Sequence, residues 1–208
     1  MTASKTELRA QLLARRRERS EAARWQDAAN LAASLPGVLD SLGADPARPL
    51  CLYVPVRSEP GAAPNGALPL LDAAVAIGRR VLLPVVTRAS GATGESETGP
   101  LDWAGFRDRG DLVPGPHGLL EPSRRREGPA AIASAGVVVV PALAASPDGV
   151  RLGRGGGHYD RSLPLVSGST SIVAVVADDE LLPELPHEPH DVRVHAVWRP
   201  TAGLIGTA

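Results

Sequence analysis

Apolar and polar positions fall into two kinds of block along this chain. In SKTELRAQLLARRRERS (4–20), Leu8 and Leu12 share one helical face and Ser4 with Glu7 has the spacing of a capping box, so a helix is expected to run to about Arg19. A second helical stretch, Glu21 to Leu35, meets the stop signal Pro36-Gly37. Beyond it the pattern changes. PLCLYVPV (49–56) reads as a buried strand, ALPLLDAAVAIGRR (67–80) as a helix and VLLPVV (81–86) as another strand. LDWAGF (101–106) reads as a short strand before the turn-rich GPHGLLEP (115–122), and AAIASAG (130–136) closes a short helix. VVVVPALA (137–144) is the most strand-like run, and SIVAVVAD (171–178) and VRVHAVW (192–198) are the last strands. Residues 87–100 read as a mobile loop. Strands apolar at consecutive positions are covered on both faces, which implies a mostly parallel sheet between helices. The expected fold is α/β, a three-layer single domain over residues 1–208 with the N-terminal helices (4–35) packed on the core; no internal repeat is visible.

Composition narrows the partners. With 43% hydrophobic and 22% charged residues in 208, the chain is of ordinary globular type. Only 3% is aromatic and 22 basic residues face 23 acidic ones, so there is neither a stacking platform nor a basic groove for nucleic acid. Cys51 is the single cysteine, which rules out an intrachain disulfide and fits a reducing cytoplasm. Charge from Lys5 onward leaves no apolar signal segment, and the run Ala130 to Ala145, broken by Ser134, Gly136 and Pro141, falls short of the about 20 residues a membrane helix needs. All basic residues but Lys5 are arginine. A surviving lysine is either chance near a terminus or a site that needs a compact ammonium.

The densest chemical signal is PALAASPDGVRLGRGGGHYDRSL (141–163). A strand ends, a turn follows at Pro147-Asp148-Gly149, and Gly153, Gly155, Gly156 and Gly157 lead into a short helix. Such glycines let backbone amides approach an anion, a helix start adds oriented N–H groups, and Arg151 and Arg154 add charge suited to phosphate. No Lys-Ser/Thr follows, so this is not a Walker loop, and the glycine spacing is not the dinucleotide fingerprint. The alternative is a flexible surface loop.

RLGRGGGHYD (151–160) resembles the R-L-G-x-G-x-G-Y-Y-D signature of the 5-formyltetrahydrofolate cyclo-ligase family, also called 5,10-methenyltetrahydrofolate synthetase. KTELR (5–9) resembles that family's N-terminal K-x-x-x-R, LYVPVRSE (52–59) its strand ending in a substrate glutamate, GLLEP (118–122) its G-I-x-E-P turn and HD (190–191) its C-terminal acidic site. The chain departs from the pattern at Ala142, Ala145 and Ser146, at Pro60-Gly61-Ala62 after Glu59, and at His117, His158, His195 and Arg199.

The resemblance implies a fold like the sugar-phosphate isomerase and CoA-transferase-like proteins, and ATP-dependent closure of 5-formyltetrahydrofolate to 5,10-methenyltetrahydrofolate through phosphorylation of the formyl oxygen. It implies an ATP site of Lys5, Arg9, Arg151, Leu152, Gly153, Arg154, Gly155, Gly156, Gly157, His158 and Tyr159, with Lys5, Arg9 and Arg151 as the catalytic cations. Reduced folate would meet Val54, Glu59, His117 and Tyr159, and Mg²⁺ would meet Asp160 and Asp191. Plainer roles stay open: a solvated pair for Lys5 and Arg9, a helix N-terminal acid for Asp160, a turn residue for Asp191, core packing for Tyr159, turn shaping for Glu121. A small-molecule partner is expected, with no nucleic acid or membrane, in a monomer or weak homodimer. Two rival functions are a folate- or nucleotide-binding protein without turnover, and an isomerase or acyl transferase on the same fold.

Overall fold

The centre of the molecule is a seven-stranded sheet whose inner strands are parallel and whose two edges are antiparallel. A computed structural model describes residues 4–90, 96–189 and 191–207, the side chains of 88–90, 96–98 and 117 excepted. Its strands are Leu50–Cys51 (β1), Val81–Val85 (β2), Asp102–Phe106 (β3), Val137–Pro141 (β4), Ser171–Val175 (β5), Ala196–Arg199 (β6) and Gly203–Gly206 (β7). They lie in the order β7-β6-β5-β4-β1-β2-β3. β1, β2, β4, β5 and β6 are parallel, while β3 and β7 run against β2 and β6. Alternate strand residues face opposite layers. Val137 and Val139 join one core cluster with Leu31, Leu35 and Leu70, whereas Val138 and Val140 join another with Ile132 and Leu163.

Helices Glu21–Ser41 (α2) and Pro69–Ala76 (α3) cover the first face. The opposite face is covered by a 3₁₀ segment at Pro129–Ser134, where a short helix was expected, and by the five-residue helix His158–Ser162 (α4). The first helix, Lys5–Glu18 (α1), carries the expected capping box at Ser4 and Glu7. It buries only Leu12 and Arg16, with Leu12 seated among Leu143, Val150, Leu152 and Leu185.

Several boundaries differ from the sequence expectation. α2 does not stop at Pro36 but continues to Ser41, so the N-terminal helices extend beyond residue 35. Pro36 removes one helical hydrogen bond, which costs about 3 kcal/mol, but the next turn buries Val38 and Leu39, worth roughly 1.5–3 kcal/mol each. β7 was not anticipated; four residues bounded by glycines give no usable periodicity. Within the segment read as a mobile loop, Arg88–Ser90 pairs antiparallel with Ser96–Thr98, and the stretch between them lies outside the described residues. Leu112–Pro114 and Leu120–Pro122 pair as a second hairpin around the turn-rich stretch. Among the described residues no helix is long and apolar enough to cross a membrane.

The strand order reverses between β1 and β4, since β1–β2–β3 runs one way from that seam and β4–β5–β6–β7 the other. Chains leaving the carboxyl ends of two such strands diverge and leave a crevice. The chain after β1 (Tyr53, Val54, Val56) and after β4 (Ala142, Leu143) lines a cavity of about 900 Å³.

Candidate active site

The cavity is built from the first turns of α1, the turn after β1, the end of β2 with Leu101, residues 118–121 of the second hairpin, the glycine loop after β4, and Glu188 with Asp191 ahead of β6. Beyond β4, Ala144–Ala145 pairs with Arg151–Leu152 in a short hairpin. Gly149 turns it with φ 85°, and a Cβ there would come within 2.6 Å of Val194 O. The hairpin delivers Gly153–Gly157 to the cavity wall and α4 begins at once. With five residues α4 has almost no macrodipole, so the positive potential comes from side chains and not from the helix start invoked above.

Those side chains converge from far apart in the chain. Lys5 Nζ lies 3.0 Å from Glu188 Oε1 and 2.9 Å from Asp191 Oδ2. Burial works against the Lys5 ammonium, but the hydrogen bonds and charges of Asp191 and Glu188 outweigh it and hold its pKa above the ordinary lysine value. Arg9 Nε donates to Gly153 O at 2.9 Å, which ties α1 to the glycine loop. Arg151, almost fully buried, donates to Val192 O and pairs with Asp160. Leu152, His158 and Tyr159 also line the cavity. Tyr159 also packs on the core cluster, and burial pushes its phenol well above the ordinary value.

On the opposite wall Glu59 is 8% exposed. Its Oε1 lies 3.0 Å from Arg154 Nε and its Oε2 accepts the Val56 N–H at 3.1 Å. Tyr53, buried beneath, donates to Pro60 O at 2.6 Å and fixes the turn. Val54 completes this wall; the side chain of His117 lies outside the described residues, although Gly118 and Leu119 beside it line the cavity. Burial raises the Glu59 pKa further than Arg154 and the Val56 N–H lower it. A raised carboxyl stabilises the fold below its unfolded value of 4.5, and that stability is lost as pH rises through the folded value. Glu59→Gln cannot ionise. It is expected to melt above wild type at neutral pH and level with it below pH 4.5, as thermal unfolding across pH would register.

Asp160 and Asp191 both line the cavity, each beside a cation. Among the described residues no group of three or more His, Cys, Asp or Glu could hold a metal ion unaided. One or two carboxylates completed by phosphate oxygens suit a hard divalent cation such as Mg²⁺, so the donor set fits such an ion only with nucleotide present. The sequence reading missed Arg16, Tyr53 and Glu188, which also line the cavity. Arg16 had left a signal, a charge continuing the Leu8–Leu12 spacing on an apolar helical face.

Residues 1–200 match the profile of the 5-formyltetrahydrofolate cyclo-ligase family. The chain belongs to that family. A 5-formyltetrahydrofolate cyclo-ligase of Mycolicibacterium smegmatis is 42% identical over 202 residues, 97% of this chain and 96% of its own. The fold is shared with 5,10-methenyltetrahydrofolate synthetase of Aquifex aeolicus, TM-score 0.74 at 23% identity over 97% of this chain and 92% of that one. It is shared too with the synthetase of Mycoplasma pneumoniae, TM-score 0.66 at 16% identity over 94% and 98%.

The structure locates several positions where this chain departs from its family's pattern. Ala142 is buried in the cavity lining, Ala145 is buried opposite Arg151 in the short hairpin, and Ser146 is buried with its hydroxyl on Asp148 and Val150 O. Pro60-Gly61-Ala62 closes the Glu59 turn, Ala62 N reaching Glu59 O at 2.9 Å. His195 Nδ1 accepts the Ile172 N–H at 2.9 Å within the sheet, away from the cavity.

Proposed function

We propose that this chain closes 5-formyltetrahydrofolate to 5,10-methenyltetrahydrofolate, converting ATP to ADP and phosphate. The observation that carries the reading is one cavity with two unlike walls: Lys5, Arg9, Arg151 and the glycine loop on one, Glu59 with Val54 on the other. Arg154 comes from the glycine loop and pairs with Glu59, so the two walls are held in register.

A formyl amide resists attack by nitrogen 10 because its oxygen leaves poorly. In the proposed course that oxygen attacks the γ-phosphorus, the bond to the ADP oxygen breaks, and the formyl carbon becomes an imidate carrying phosphate. Nitrogen 10 then attacks the carbon, loses its proton, and phosphate departs with the former formyl oxygen. Such chemistry needs alignment and charge neutralisation more than a protein nucleophile. Arg9 fixes the loop through Gly153 O, Arg151 brings buried charge, and Lys5 exchanges carboxylate partners for phosphate oxygens. Asp160 and Asp191 are the residues that would hold Mg²⁺, which would supply charge neutralisation for the triphosphate. The setting we assign is the cytoplasm.

The test follows the absorbance of methenyltetrahydrofolate with ATP and Mg²⁺ supplied or withheld. Product is expected only when both are present. Binding of both ligands without product favours the protein without turnover, and binding of neither favours a different chemistry on this fold. In the same assay Lys5→Ala is expected to raise the KM for ATP tenfold or more, about 1.4 kcal/mol, with the folate KM unmoved and Lys5→Arg restoring only part. Unchanged ATP kinetics would remove Lys5 from the phosphate site.

A further inference from the structure

The cavity holds a second buried carboxylate, and its surroundings differ from those of Glu59. Glu121, on the second strand of the hairpin Leu112–Pro114/Leu120–Pro122, is 7% exposed and lines the cavity. Its Oε1 accepts the Val86 N–H at 2.7 Å, and among the described residues it makes no ion pair, Arg124 just past the hairpin turning instead to Asp111. Glu59, by contrast, has one oxygen on Arg154 and the other on a backbone N–H.

The hairpin makes room for this side chain. Gly115 stands opposite, and the three atoms nearest a Cβ added there would all belong to Glu121, at 2.6–2.9 Å. The φ of Gly115, −110°, suits any residue, so the glycine serves the carboxylate and not the backbone. The same cavity is also lined by the apolar Val86, Leu101 and Leu119. A carboxylate buried there without a cation is unfavourable unless something else brings donors to its free acceptor positions.

The ligand chemistry that answers is a planar, neutral heterocycle with adjacent N–H donors on one edge. The 2-amino group and N3–H of a reduced pterin form such an edge, and the apolar wall would take the ring's faces. We propose that Glu121 is a specificity-determining residue that accepts these two hydrogen bonds. The proposal rests on the folate reading above and gives Glu59 the different task of holding Arg154 and the glycine loop in register.

Kinetics and equilibrium binding of 5-formyltetrahydrofolate and of its analogue lacking the 2-amino group, on wild type, Glu121→Gln and Gly115→Ala, test this. Glutamine keeps a carbonyl for the Val86 N–H, so the melting temperature and the KM for ATP should hold. The wild type is expected to favour the natural compound over the analogue tenfold or more. Glu121→Gln should raise the KM for 5-formyltetrahydrofolate by a similar factor and bind the two compounds alike, and Gly115→Ala should do the same by pushing the carboxylate from its seat. If Glu121→Gln still discriminates as wild type does, or wild type does not discriminate, the proposal is overturned while the folate reading stands. If wild type neither binds nor closes 5-formyltetrahydrofolate, both fall together.

Discussion

Glu180→Ala is expected to lower the unfolding free energy by about 3–5 kcal/mol, measured by urea denaturation. Glu180 and Arg16 are 3% and 2% exposed. Their guanidinium and carboxylate meet fork to fork at 2.6 Å on both sides. Arg16 also donates to Ala142 O, and Glu180 also accepts the Ala177 N–H, so the pair joins α1 to the chain leaving β4 and β5. Truncation would leave a guanidinium buried without its counterion, the costly half of breaking such a pair. Replacing both members, Arg16→Met with Glu180→Leu, should recover most of the stability, because a well-packed apolar pair often equals a buried ionic one. A loss under 1 kcal/mol in the single variant would mean that the charge escapes to solvent. The nearby pair of Arg15 and Asp179, with both side chains about half exposed, is expected to matter far less.

Gly155→Val is expected to weaken ATP binding a hundredfold or more, about 2.7 kcal/mol, with the fold intact. Gly155 has φ 97°, a region that β-branched residues avoid. A Cβ there would lie 3.6 Å from Arg9 Cζ, and valine's methyl groups would push the guanidinium away from Gly153 O. The loop and the helix that braces it would be disturbed together. Titration calorimetry with ATP checks this, and wild-type affinity would move the phosphate site off the loop.

Much of this architecture was legible in local pattern. VVVVPALA, SIVAVVAD and VLLPVV each contain a buried strand of five residues, because continuous apolar runs record burial on two faces. The glycine loop was legible because few other arrangements put that many glycines between a strand and a helix beside two arginines. What local pattern does not record is which distant residue meets which. Arg16 and Glu180 are 164 positions apart, so neither alone betrays the other. Glu121 looked like turn decoration until the hairpin placed it against Val86 and Gly115. Pro36 failed as a stop because Val38 and Leu39 are buried in a core cluster built by segments distant in the chain, not by the α2 sequence.

The seam between β1 and β4 also orders events while the chain is being made. Synthesis delivers α1 long before its anchors Glu180, Glu188 and Asp191. A helix that must wait so long undocked would invite aggregation if it were greasy, and α1 has little beyond Leu12 and its leucine neighbours to expose. β1 likewise reaches its full set of neighbours only when β4 emerges. No half of the chain therefore contains a binding pocket. Nucleotide or folate can engage only the finished molecule, and each acts by mass action as a selective stabiliser of chains that have completed their folding.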